Sequence, residues 1–210
     1  MNNEISNEPL SKHDRQERRR QEKEAERRAR KKARSARAFR NYAMAVLVIA
    51  AAASGIYLLA KSAAPKEEDF SRAIPVMEAS HIAAGSRLPE YTSNPPTSGP
   101  HYSQTARSGF RDEAIPDQNI IHNLEHGDIW IAYHPRLADE IKEELKQFGA
   151  AKVIITPREA NETDIALAAW GRLDTFNLDG KALPVERITD FIKRYANQGP
   201  EKVPQASGGI

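Results

Sequence analysis

The residues best suited to chemistry are histidines. His122 and His126 flank Glu125 in Ile120-Ile121-His122-Asn123-Leu124-Glu125-His126-Gly127, and His101 follows the stiff run Pro95-Pro96-Thr97-Ser98-Gly99-Pro100. Neutral imidazole is the commonest side-chain metal ligand, and carboxylate oxygen serves the same ions. The chain has no cysteine, which excludes disulfides, thiolate nucleophiles and thiolate ligands. Any ion must be held by imidazole, carboxylate, thioether or backbone oxygen. His81, in Glu78-Ala79-Ser80-His81-Ile82, offers a further imidazole, and Met77 a thioether for a soft ion such as Cu(I). Glu125 is placed either to bind the ion or to fix a histidine tautomer from behind.

The spacing of His122 and His126 sets a condition. Residues four apart share one face of a helix and also one face of a strand. On a strand they lie about 13 Å apart, too far for one ion. A shared ion therefore requires Asn123 to Gly127 to be helical or tightly turned. Gly127 and the strand that starts just after it favour a turn. His101 is the natural third ligand, since prolines and Gly99 hold the backbone before it stiffly. The site so drawn is His101, His122 and His126, completed by His81, Glu125 or Met77, around copper or zinc.

Other readings of the same residues stay open. His-x-x-Glu-His is also the inverted zincin pattern, with the glutamate as general base. That pattern needs a long helix, and here a strand follows within two residues. Histidines beside Asn, Glu, Ser and Thr also satisfy backbone groups in loop-rich regions, with no metal at all. Thr97-Ser98-Gly99 has the shape of an anion nest, but no lysine accompanies it. His134 sits at a strand end beside Pro135 and reads as structural; His13 lies far away in a basic segment.

The elements that must position these groups are legible from Asp128 onward. Ile129, Ile131 and Tyr133 form one face of a strand, with Trp130 and Ala132 on the other. Both faces are apolar, so the strand is interior. Arg136 to Phe148 has an apolar helical stripe of Leu137, Ile141, Leu145 and Phe148, with Gly149 as its cap. Lys152 to Thr156 is a second strand, joined to the first as a right-handed parallel unit. Asp164 to Trp170 is a third, which Leu173 to Phe176 extends or pairs with. A last helix opens at Pro184, carries Ile188, Phe191, Ile192 and Tyr195, and stops at Gly199-Pro200. Residues 74–118, rich in Pro, Gly, Ser and Tyr, suggest few helices or strands. The fold class is α/β: a small mixed sheet with packed helices, thioredoxin-like in its C-terminal order βαββα, behind a long Pro/Gly-rich loop region.

The N-terminal part is of another kind. Residues 1–40 carry 14 Lys+Arg against 7 Asp+Glu, whereas residues 61–210 carry 17 against 22. Ala43 to Ala60 has no charge in 18 residues, enough to cross a bilayer. The basic excess before it places residues 1–40 in the cytoplasm. Ser62-Ala63-Ala64 would pass as a signal cleavage site, but the basic stretch is longer than a signal peptide needs. The expected organisation is a basic cytoplasmic segment (1–40), a transmembrane helix (41–61), a linker (62–73), an extracytoplasmic domain (74–202) and a disordered tail (203–210). Residues 11–40 read as a solvated helix near anionic headgroups, so membrane lipid is the expected partner. Nucleic acid is not expected, because no aromatic is interleaved before Phe39.

Pro95-Pro96-Thr97-Ser98-Gly99-Pro100-His101, then His122-Asn123-Leu124-Glu125-His126-Gly127 and a strand ending Tyr133-His134-Pro135, resemble the bacterial family called domain of unknown function 3105. Trp170-Gly171-Arg172 and Gly199-Pro200-Glu201 fit it as well. The likeness spans about residues 74–202. It implies one N-terminal membrane span and places His81, His101, His122, Glu125 and His126 on the family's motif positions, and it implies no activity. The functional expectation is a membrane-anchored extracytoplasmic protein with a histidine-rich site for copper or zinc. The alternatives are an envelope scaffold whose His/Glu cluster is structural, and a metal-dependent hydrolase.

Overall fold

The computed structural model describes residues 12–65, 68–180 and 182–203. The chain divides into two compact units, Met1–Ser62 and Ala63–Ile210. Residues 1–11 and nearly all of the expected tail lie outside the described residues.

The first unit is one helix, α1 (Lys12–Ala63), of 52 residues. The basic run and the apolar run are continuous, where the sequence suggests a fluctuating helix and a separate span. Both halves consist largely of Ala, Arg, Lys, Glu and Leu, which cost little to hold in a helix, and no proline interrupts them. Leu47, Ile49, Ile56, Leu58 and Leu59 all stand exposed. This is one helix long and apolar enough to cross a membrane, and a signal sequence meets the same test.

The second unit is built on a mixed sheet. Its strands are β1 (Arg72–Ala73), β2 (Gly109–Phe110), β3 (Ile129–Tyr133), β4 (Val153–Pro157), β5 (Ile165–Ala169) and β6 (Arg172–Phe176). Their order is β1-β6-β5-β3-β4-β2. β3 runs parallel to β4 and antiparallel to β5, and β5 and β6 form an antiparallel hairpin. The two stretches expected to extend or pair therefore pair, turning at Gly171 with φ +67°. Between β3 and β4 lies α3 (Asp139–Leu145), followed by a 3-10 turn over Lys146–Phe148. This helix starts later than the sequence suggests, because Leu137 first closes a turn on the His134 carbonyl at 3.1 Å. Gly149 ends the turn at φ −67°, so it is not the left-handed cap its type suggests. The last helix, α4 (Val185–Tyr195), has Pro184 at its N-cap.

The largest departure from expectation is α2 (Asp117–Glu125), a helix just ahead of β3. Its end explains how a strand can follow so closely. Gly127 N–H donates to Leu124 O at 2.9 Å and Asp128 N–H to Asn123 O at 2.9 Å. These are the two bonds of a Schellman closure, and Gly127 supplies the left-handed residue at φ +82°. The chain reverses in two residues and enters β3.

The sheet has two unlike faces. On one, Ile129, Ile131, Ile155, Ile165 and Leu167 pack with Leu145, Phe148, Ile188 and Phe191 of the α3 region and α4. On the other, Trp130, Ala132, Ile154, Ala166 and Ala168 meet Ile120 and Leu124 of α2. That second face also holds the buried polar groups described next.

Candidate metal centre

α2 presents His122 and Glu125 three residues apart, on one side of the helix. Both are 8% exposed. Facing them is the proline-rich arm, which delivers His101 at 1% exposure. Tyr91 OH donates to Pro100 O at 2.7 Å, and the Ser98 hydroxyl accepts the Met77 N–H at 2.9 Å. Gly99 lies at φ +111°, and a Cβ there would stand 3.2 Å from the Tyr91 ring and 3.3 Å from Met77 Sδ. Met77 thus packs against the turn before His101. His81 reaches the same place through an isolated parallel bridge to His101, with Ile82 N–H on His101 O at 2.8 Å and His101 N–H on Ser80 O at 2.9 Å.

The arm is bound to α2 by two asparagines one helical turn apart. Asn123 Oδ1 accepts Ala106 N–H at 2.7 Å, while its Nδ2 donates to Ala106 O and to Asp128 Oδ2, both at 2.9 Å. Asn119 Nδ2 donates to Gln104 O at 2.6 Å. Beneath them Lys152 is buried, donating from Nζ to His126 O at 2.8 Å and standing 3.5 Å from Asp128 Oδ1. Sequence reasoning missed these positioning residues. Only the four-residue spacing of Asn119 and Asn123 pointed to a shared helix face.

One donor atom from each of His81, His101, His122 and Glu125 lies within 4.8 Å of every other. The rings of His81, His101 and His122 stand 4.8 to 5.0 Å apart, centroid to centroid. His101 Nδ1 bonds the Gly99 carbonyl at 2.8 Å, and His122 Nδ1 the Tyr102 carbonyl at 3.0 Å. A carbonyl only accepts, so both Nδ1 atoms carry the proton. Both Nε2 lone pairs are thereby free for a cation. Backbone bonds of this type are what fix metal-binding histidines.

His101 Nε2 is 3.1 Å from Glu125 Oε2, yet it is buried without a hydrogen-bond partner. With the proton on Nδ1, an acceptor nitrogen thus stands beside a carboxylate oxygen in the buried part of the site. Two acceptors at that distance repel unless a proton or a cation lies between them. His122 is held neutral: burial, then the neighbouring His126, His101 and His81, lower its pKa to about 4, against a smaller opposing effect of the Tyr102 carbonyl. Neutral imidazole is the metal-binding form.

Of the five residues named from sequence, four converge. His126, at the C-cap of α2, is not among the four donors. Its ring lies 4.6 Å from that of His122, but its Nε2 turns to Glu201 Oε2 at 3.2 Å. The C-terminal segment is brought there by Asn197 N–H on Gly127 O at 2.7 Å and Glu201 N–H on Glu125 O at 3.1 Å. His134 accepts the Arg136 N–H at 3.1 Å, a local turn contact.

The model of a family described as protein of unknown function (DUF3105) matches residues 81–208. No curated protein and no solved structure matches the chain. The match spans more than half of the sequence, so the chain belongs to that family.

Proposed function

We propose that this DUF3105 protein binds one divalent ion, Zn(II) or Cu(II), through His81, His101, His122 and Glu125. The observation that carries the reading is the buried Nε2 of His101, without a hydrogen-bond partner 3.1 Å from the Glu125 carboxylate and gathered with His81 and His122. Three imidazoles and one carboxylate suit these ions, and the order of divalent affinities favours copper. Two ligands at about 2.1 Å from one ion are at most about 4.2 Å apart. In a tetrahedral shell they stand about 3.4 Å apart, so a site whose donors spread to 4.8 Å closes by more than an ångström at its widest when loaded. Four protein donors complete a tetrahedral shell, which supports metal holding over hydrolysis, since a catalytic zinc keeps a position open. A purely structural network accounts for the two Nδ1 bonds and, with a proton between them, for the His101–Glu125 pair; the ion accounts as well for the gathering of His81 and His122 at the same point.

The strand order β6-β5-β3-β4, with β5 antiparallel to both neighbours, supports a thioredoxin-like reading of the sheet, which brings no function with it. α1 is the membrane anchor in this account, with its basic half cytoplasmic near anionic headgroups and the site on the far side. The absence of native cysteine makes this orientation simple to test. A single cysteine introduced at Ser103 should react with an impermeant reagent on intact cells, and one at Ser35 should not.

The test of binding uses the full chain in detergent, purified without a histidine tag. Metal analysis should find one zinc or copper ion per chain. Unfolding followed by Trp130 and Trp170 fluorescence should shift upward on adding the ion, by about 2.7 kcal/mol at a hundredfold excess over Kd. No retained ion and no shift would overturn the proposal.

A further inference from the structure

The four donors are not held alike. His101 and His122 are buried, and each has its Nδ1 fixed by a backbone carbonyl. Glu125 is buried on α2, three residues after His122. His81 is exposed, and among the described residues neither of its ring nitrogens is held by a hydrogen bond. Its backbone is tied by the bridge to His101, while its ring rests against those of His101 and His122 on the exposed side of the site, with no hydrogen bond to fix it. The chain from Val76 to Glu90 carries no regular element beyond that bridge.

A shell of three fixed donors and one free donor has a direction. The fixed three set affinity, because little side-chain freedom is left for them to lose when the ion arrives. The free one sets exchange. We infer that His81 is the exchangeable ligand, and that the ion enters and leaves on its side by substitution with an incoming neutral nitrogen donor. The bond between the ion and the His81 ring nitrogen breaks as the bond to the incoming nitrogen forms. Both ligands are neutral, so no charge or proton needs to move. The site is thereby suited to receiving and passing on an ion rather than to keeping it as a permanent structural part. This rests on the metal site proposed above and adds the side from which it is served.

The experiment compares the full chain with His81→Ala and His101→Ala, using zinc alone against a chromophoric chelator, with free imidazole as the incoming donor. Apoprotein unfolding checks that each variant is folded. His81→Ala should bind zinc about tenfold to a hundredfold more weakly, release it faster to the chelator, and recover with imidazole. His101→Ala should lose about a thousandfold or more, and imidazole should not rescue it, because its position is closed to solvent. Equal losses in the two variants, or failure of imidazole to restore His81→Ala, would overturn the inference while leaving the site. Failure of the unaltered chain to bind zinc or copper would instead remove the site, and the inference with it.

Discussion

The two faces of the sheet solve the same problem with different materials. The face under α3 and α4 is sealed with branched and aromatic hydrocarbon: Ile131, Leu145, Ile155, Ile188 and Phe191. The face under α2 sets Trp130 and Ile154 beside the small residues Ala132, Ala166 and Ala168, and packs Ile120 and Leu124 of α2 and Ala106 of the arm on them. There the hydrocarbon is joined by amides, a buried lysine and imidazoles. Hydrocarbon packing is non-directional and stabilises in proportion to area. A buried polar network stabilises little net, but it fixes positions and is costly to leave half made. The first face therefore reads as the source of stability and the second as the source of geometry.

The sharpest way to break that division is to weaken the apolar face. Leu145 is fully buried there. Leu145→Ala should cost about 3–4 kcal/mol in chemical denaturation of the outer domain. Metal affinity of the chains that remain folded should not change. A large fall in affinity would show the faces to be coupled.

Asn123→Leu tests the other side. It strands the Ala106 N–H and C=O and one partner of Asp128, a cost of about 2–3 kcal/mol. Unlike the first variant it should also lower metal affinity, by about tenfold or more, since the arm carrying His101 loses its hold on α2. Unchanged affinity would mean that the asparagine bonds do not position the site.

How far this face was legible in the sequence follows from the same residues. β3, β4 and their parallel connection were readable because Ile129, Ile131, Trp130 and Ile154 declare two buried faces. α2 was not. It is short, Asn119, His122 and Asn123 are modest helix formers, and a strand follows at once. Its end depends on the conformation of Gly127, which sequence expresses only as a glycine. The convergence of His101 with His122 was anticipated from the stiffness of the proline arm. The pairing of His81 with His101 is a single bridge and leaves no periodic pattern to read. His126 reads as a ligand from its spacing and from the family motif, whereas Glu201, distant in the chain and close in space, meets its Nε2.

Acid should act on the polar face in a defined direction. The native His122 ring has a pKa of about 4, below its ordinary value of 6.5. Between those values the unfolded chain binds a proton that the native apoprotein refuses, so stability rises with pH. The contribution is complete above about pH 6.5 and is lost as pH falls through about 4. It amounts to on the order of 2 kcal/mol after discounting for partial solvent access. Denaturation of the apoprotein across this range, compared with His122→Gln, should show a flatter pH dependence in the variant. Parallel curves would contradict the buried neutral imidazole.

The smallest effect belongs at the rim. Glu201 is 56% exposed at its side chain where it meets His126. Glu201→Gln should change stability by about 0.5 kcal/mol or less, and zinc affinity hardly at all. An effect as large as that of Asn123→Leu would move the C-terminal segment from the rim into the working part of the site.

The account depends above all on four donors of the polar face meeting at one ion. X-ray absorption at the metal edge of the zinc- or copper-loaded chain reads this most directly. It should show three imidazole nitrogens and one carboxylate oxygen at about 2.0–2.2 Å, with one ion per chain and no sulfur. A shell of water oxygens, or one with a single imidazole, would show that the ion sits elsewhere and that the histidines of this face serve only to hold the arm in place.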